Sequence, residues 1–189
     1  MAGDIEGELS DEHLRNALSR CEVSVYHDAV WRITRDDRDP RDPTGSTKTS
    51  GRYNKKGEVT LYLSCDEATM HAEFIRRLTT NPADVARIAT SNMASFELYA
   101  ELERVLTVDP ARMGIPPAFL SQPAIIGPDH QSAYPFTWRI ASIARSMKVD
   151  ALLVPSAFGR GKNLNVFDVV FPGDQRLKRI GGPYPLNLT

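Results

Sequence analysis

Two arginines, a tyrosine and a glutamate stand close together in this chain, within three short segments. They are Val30-Trp31-Arg32, Gly51-Arg52-Tyr53-Asn54, and Tyr62 followed by Glu73. A guanidinium grips a phosphate through two parallel hydrogen bonds. An aromatic ring stacks on a flat heterocycle, and a lone carboxylate stabilises positive charge forming on a sugar carbon. Together these fit a site for a dinucleotide such as NAD, used as a substrate. Each residue also has a plainer reading. Arg32 could be an exposed strand arginine, Arg52 a loop salt bridge and Tyr62 a solvent-facing sheet residue, while Glu73 could pair with Arg76 or Arg77 one turn on.

The elements that must carry these residues follow from the apolar pattern. Val23 to Ile33 reads as a strand, and residues 34–50, with two prolines and no apolar side chain, as a long polar loop. Thr60 to Ser64 alternates, with Leu61 and Leu63 on one face and Tyr62 on the other. Asp66 is a good N-cap for a helix through Leu78, whose Met70, Phe74 and Leu78 form a buried stripe. Glu73 lies about 100° from Phe74 around that helix, at the edge of the stripe. Residues 95–108 alternate as a strand, and the proline-rich stretch 109–136 reads as a loop. Pro135 precedes a helix over 137–148, with Ile140, Ile143, Ala144 and Met147 inward. Ala151 to Val154 is a short buried strand, and Val166 to Phe171 is the last one. Ser10 starts a short helix through Leu18. The mixture predicts a single α+β domain, a mixed central sheet flanked by helices without a regular βαβ repeat. Residues 1–21 are an N-terminal extension and 22–189 the domain.

Composition excludes several classes. A net charge of -1 gives no global basic field, so neither direct nucleic-acid binding nor an acidic membrane surface is expected. Cys21 and Cys65 have no CxxC or Cys/His spacing and read as thiols in a reducing cytosol. His13, His27, His71 and His130 are scattered, so no metal site is expected. The acidic, polar start of the chain is no signal peptide, and no apolar run approaches the roughly 20 residues a bilayer span needs. The expected location is cytoplasmic. There is no GxGxxG, GxxxxGK[ST] or GxSxG. Gly159-Arg160-Gly161-Lys162-Asn163 is glycine-rich and basic, but with no helix after it the case for a phosphate loop is weak.

The order of the segments resembles the RES domain family, across about residues 22–171. Its members open with an aromatic-Arg pair, as Trp31-Arg32 does, and continue with a Gly-Arg-aromatic-Asn turn and a glycine. Gly51-Arg52-Tyr53-Asn54 and Gly57 match that turn, with Tyr53 where tryptophan is commoner. Leu61-Tyr62-Leu63 matches the apolar-Tyr-apolar strand, and His71-Ala72-Glu73 the helix after it. Leu152-Leu153-Val154-Pro155-Ser156 and Asn163 match the late element. The family serine has three candidates here: Ser156, Ser132 and Thr137.

The resemblance implies an ADP-ribosyltransferase-like fold and the toxin of a type II toxin–antitoxin pair. Such a toxin would break the nicotinamide–ribose bond of NAD, as a glycohydrolase or a phosphorylase. On this reading Arg32, Glu73 and Ser156 are catalytic, and Arg52, Tyr53, Asn54, Tyr62, Thr137 and Asn163 bind substrate. NAD is substrate rather than cofactor, with water or inorganic phosphate as acceptor. The implied partner is a cognate Xre-like antitoxin, helical and DNA-binding, with a dimer inside the complex left open. Two alternatives stand beside this one: an ADP-ribosyltransferase acting on protein, and a non-catalytic module binding NAD or a partner.

Overall fold

The computed structural model describes residues 9–80, 85, 88, 91–121, 125–126, 132–157 and 161–186. In chain order the elements are α1 (Asp11–Ser19), β1 (Val23–Arg35), α2 (Thr44–Lys48), β2 (Thr60–Ser64), α3 (Glu67–Thr80) and β3 (Met93–Thr107). A short α4 (Pro110–Met113), a 3-10 turn (Pro117–Leu120) and the two-residue strands β4 (Ile125–Ile126) and β5 (Ser132–Ala133) follow. Last come α5 (Pro135–Ser146), β6 (Ala151–Pro155), β7 (Lys162–Phe167) and β8 (Leu177–Pro185).

The main sheet runs β1-β2-β7-β6-β3-β8, and β1 also pairs with β3. The first five strands therefore close into a ring. Only β3 and β6 run parallel; the remaining pairs are antiparallel, so the sheet is mixed. Strand alternation sends Val30, Leu61, Leu63, Leu98, Ala151, Leu164 and Val166 into one core cluster shared by the ring strands. The opposite face of β6 and β7 contributes Leu152, Val154 and Phe167 to a second cluster under α1 and α5, with Leu14, Leu18, Phe136 and Ile140. The α+β architecture read from the pattern is the one found.

Local chemistry explains the boundaries. Ser10 caps α1, its Oγ accepting from the His13 amide at 3.2 Å. Asp66 caps α3 through the Thr69 amide at 2.7 Å. The polar loop is shorter than expected, because β1 runs on to Arg35 and α2 occupies Thr44–Lys48. Within it Asp39 and Arg41 pair through two oxygens, at 3.0 and 2.7 Å. The proline-rich stretch expected as loop contains α4, the 3-10 turn and a two-strand ladder. The last predicted strand begins four residues earlier, at Lys162. β8 was not expected at all: its LKRIGGPYP reads as a breaker, yet it pairs only with β3, at the sheet edge where proline is tolerated.

Candidate active site

The turn Gly51–Asn54 is fixed by its backbone. Gly51 and Asn54 form a bridge, with the Gly51 amide donating to the Asn54 carbonyl at 3.0 Å. The first turn of α5 holds the other side: Trp138 Nε1 donates to the Gly51 carbonyl at 2.8 Å, and Thr137 Oγ1 donates to the Arg52 carbonyl. From β2, the Tyr62 hydroxyl accepts from the Tyr53 amide at 2.9 Å and donates to Asn54 Oδ1 at 2.7 Å. Asn54 Nδ2 in turn donates to the Ser46 and Lys55 carbonyls, at 2.8 and 2.9 Å, tying the turn to α2. Glycine is required at position 51. A Cβ there would stand 2.5 Å from Tyr62 Oη and 2.6 Å from Asn54 Oδ1. Gly51→Ala should break the Tyr62–Asn54 bond and cost about 1–3 kcal/mol of stability, read by urea unfolding. An unchanged midpoint would mean that the turn adjusts freely.

The turn carries Arg52 to the mouth of a cavity of about 220 Å³. Its guanidinium donates to the Leu120 carbonyl at 3.1 Å and lies over the Tyr134 ring, 4.8 Å from the centroid. Tyr53, Tyr62 and Tyr134 line the same cavity, with Val154, Pro155 and Ala157 on another wall. Burial pushes the Tyr53 and Tyr62 hydroxyls above the usual phenol range, so both stay protonated.

Glu73 enters from α3. Its Oε1 accepts two bonds, from Ser156 Oγ at 2.7 Å and from Asn163 Nδ2 at 2.8 Å. Ser64 Oγ donates to Asn163 Oδ1 at 3.0 Å, which sets the orientation of that amide. Both bonds on the carboxylate thus fall on one oxygen. The half-buried Glu73 does not turn to Arg76 or Arg77; it is held across the cavity by β7 and the end of β6. It is the one acid among the described residues that line the cavity.

The model of the RES domain family matches residues 29–189. The chain belongs to the RES domain family. Its fold is similar to that in the crystal structure of the M. tuberculosis MbcT-MbcA toxin-antitoxin complex, with a TM-score of 0.66 at 17% identity over 90% of each chain. Among curated proteins none matches.

Of the residues that this RES domain was expected to use, Arg52, Tyr53, Tyr62, Glu73 and Asn163 line one cavity. Ser156 touches it through Glu73. Asn54 and Thr137 are buried beneath the Arg52 turn and hold it. Arg32 is placed differently. Its guanidinium donates to the Pro40 carbonyl at 2.6 Å and the Asp42 carbonyl at 3.0 Å, and it is not among the described residues lining the cavity. Burial pulls its pKa down to about 10 against the pull of Asp42 and Asp39. Ser132 lies in β5, where its side chain falls outside the described residues, as do Gly159 and Arg160 of the basic glycine segment. Sequence reasoning missed Ser64, Tyr134, Trp138 and Asn165. Asn163 and Asn165 sit two apart, alternating with Leu164 and Val166, and a polar pair on one face of a strand is the signal that could have found the cavity.

No helix among the described residues is long and apolar enough to cross a membrane, and no cluster of His, Cys, Asp or Glu among them could hold a metal ion.

Proposed function

We propose that this RES domain is the toxin of a toxin–antitoxin pair and degrades NAD by cleaving its nicotinamide–ribose bond. The observation that carries the reading is Glu73, a single carboxylate pinned by Ser156 and Asn163 on the wall of a cavity shared with Arg52 and three tyrosines. The family match and the likeness to a chain of a toxin–antitoxin complex support it.

The chemistry follows from the charges. When the glycosidic bond breaks, nicotinamide leaves with the electron pair and positive charge develops on the ribose, in an oxocarbenium-like transition state. Glu73 faces that charge or accepts from a ribose hydroxyl. Water or phosphate then attacks the anomeric carbon and loses a proton. Arg52 grips the pyrophosphate, with Tyr134 stacked beneath its guanidinium, and a tyrosine ring packs on the nicotinamide or its ribose. Ser156 and Asn163 aim the carboxylate. Arg32 is a positioning residue, holding residues 40–42 against β1 beside the site. Glu73 is the one acid among the described residues lining the cavity, with no second carboxylate among them to activate a protein acceptor, so transfer to a protein is the weaker reading. The partner is an antitoxin that covers this cavity; an Xre-like, helical, DNA-binding chain is the kind proposed.

The test is to incubate the pure protein with NAD, with and without phosphate, and to identify the ribose product. ADP-ribose marks hydrolysis and a ribose phosphate ester marks phosphorolysis. NAD left intact in both arms overturns the enzymatic reading. Arg52→Lys should weaken NAD binding about tenfold although the charge remains, because an ammonium neither forks to a phosphate nor lies flat on Tyr134. An affinity within about twofold of the parent would place Arg52 outside the pyrophosphate contact.

A further inference from the structure

Asn165 is 1% exposed, at the centre of β7, and lines the cavity. Its Nδ2 and its Oδ1 both lack a hydrogen-bond partner among the described residues, and so does the buried Tyr53 hydroxyl on the same cavity. An unmade bond at a buried polar group is expensive, and a strand position flanked by Leu164 and Val166 would more simply carry an apolar residue. Violations of that kind concentrate where a protein meets a ligand.

We infer that Asn165 and Tyr53 form the subsite that reads a carboxamide, seating the nicotinamide end of the dinucleotide against β7. The inference rests on the proposed NAD reading and names the groups that select within it. A primary amide presents one acceptor and one donor in a plane, and Asn165 presents the complementary pair. A terminal amide turns about χ2 at little cost, so either atom can be brought to the ligand. Tyr62 pairs with Asn165 across β2 and β7, and Tyr53 lines the same cavity, so flat surfaces for a pyridine ring are at hand. Asn163, which holds Glu73, is two residues away on the same face, about 6.7 Å along the strand. The span from an anomeric carbon across a pyridine ring to its 3-carboxamide is of that order. Glu73 would then face the breaking bond while Asn165 holds the leaving group.

The experiment uses full-length Glu73→Gln protein, which should hold dinucleotide without consuming it, and measures NAD and ADP-ribose binding by calorimetry. ADP-ribose has no carboxamide. Adding Asn165→Leu should weaken NAD about tenfold, leave ADP-ribose unchanged and raise the ligand-free Tm, since a buried orphan amide is removed. Should Leu disturb the fold, Asn165→Asp keeps the volume, loses the donor and should show the same split between the two ligands. Tyr53→Phe should also weaken NAD selectively without lowering Tm. Equal weakening of both ligands, or of neither, overturns the carboxamide subsite while the NAD reading survives. If the parent Glu73→Gln protein binds neither ligand, the NAD reading itself fails and the subsite with it.

Discussion

Glu73→Gln should fold as the parent does and consume NAD about 100- to 1000-fold more slowly, the usual loss for one charge contact at a transition state. The expectation that the fold survives comes from the bonding pattern. Ser156 and Asn163 both donate to Oε1, and a glutamine oxygen accepts from both in the same place. Only the second oxygen is replaced, by an amide nitrogen, and no hydrogen bond is made to that oxygen by the described residues. The variant therefore keeps its anchors and loses the charge that faces the ribose. Stability is read by thermal unfolding and activity by nicotinamide release. Parent-like turnover with parent-like Tm would remove Glu73 from the chemistry, and a fall in Tm of more than about 8 °C would instead show a structural role.

The site was legible in the sequence wherever one strand or helix carried its residue with a clear period. Leu61 and Leu63 pointed inward, so Tyr62 had to point the other way. The Met70–Phe74 stripe placed Glu73 at an edge, where it reaches a neighbour instead of solvent. The Gly51–Asn54 turn could be recognised as a motif, but what fixes it could not. Its carbonyls are held by Thr137 and Trp138, far along the chain, and no local pattern reports that distance. Thr137 was expected at the substrate and is found under the turn for the same reason.

Arg32 shows the other limit. Strand spacing placed it beside an apolar pair and the family pattern made it catalytic, yet its Nη1 donates to the carbonyls of Pro40 and Asp42. A loop that folds back on its own strand leaves no trace in periodicity, because its contacts run through backbone oxygens and not through side-chain type. β7 was misplaced by a related effect. Asn163 and Asn165 alternate with Leu164 and Val166, so the strand starts as a polar-and-apolar pattern and not as the apolar run that marked Val166–Phe171. The two asparagines of that strand are the positions that line the cavity.

Expression of the chain alone should arrest bacterial growth and drain cellular NAD within one generation, whereas Glu73→Gln should do neither. Co-expression of the cognate antitoxin should prevent both effects of the parent. The geometry restricts how such a partner can work. Arg32 is bound to the carbonyls of Pro40 and Asp42 and Arg52 is the one cation among the described residues lining the cavity, so a carboxylate or chain terminus imitating phosphate is the natural group to set against Arg52. The α2 segment stands next to the Arg52 turn, joined to it through Asn54, and residues 39–42 lead directly into α2, so this polar loop should lie within the covered surface. Charge reversal at Arg41 in that segment should then weaken neutralisation without touching the cavity, and co-expression would no longer protect fully. Induction followed by growth curves and NAD assay, for parent and Glu73→Gln with and without partner, decides the matter. If parent and variant grow alike with normal NAD, the toxin reading fails, and a domain that binds a nucleotide or a partner without turning it over becomes the reading that the cavity supports.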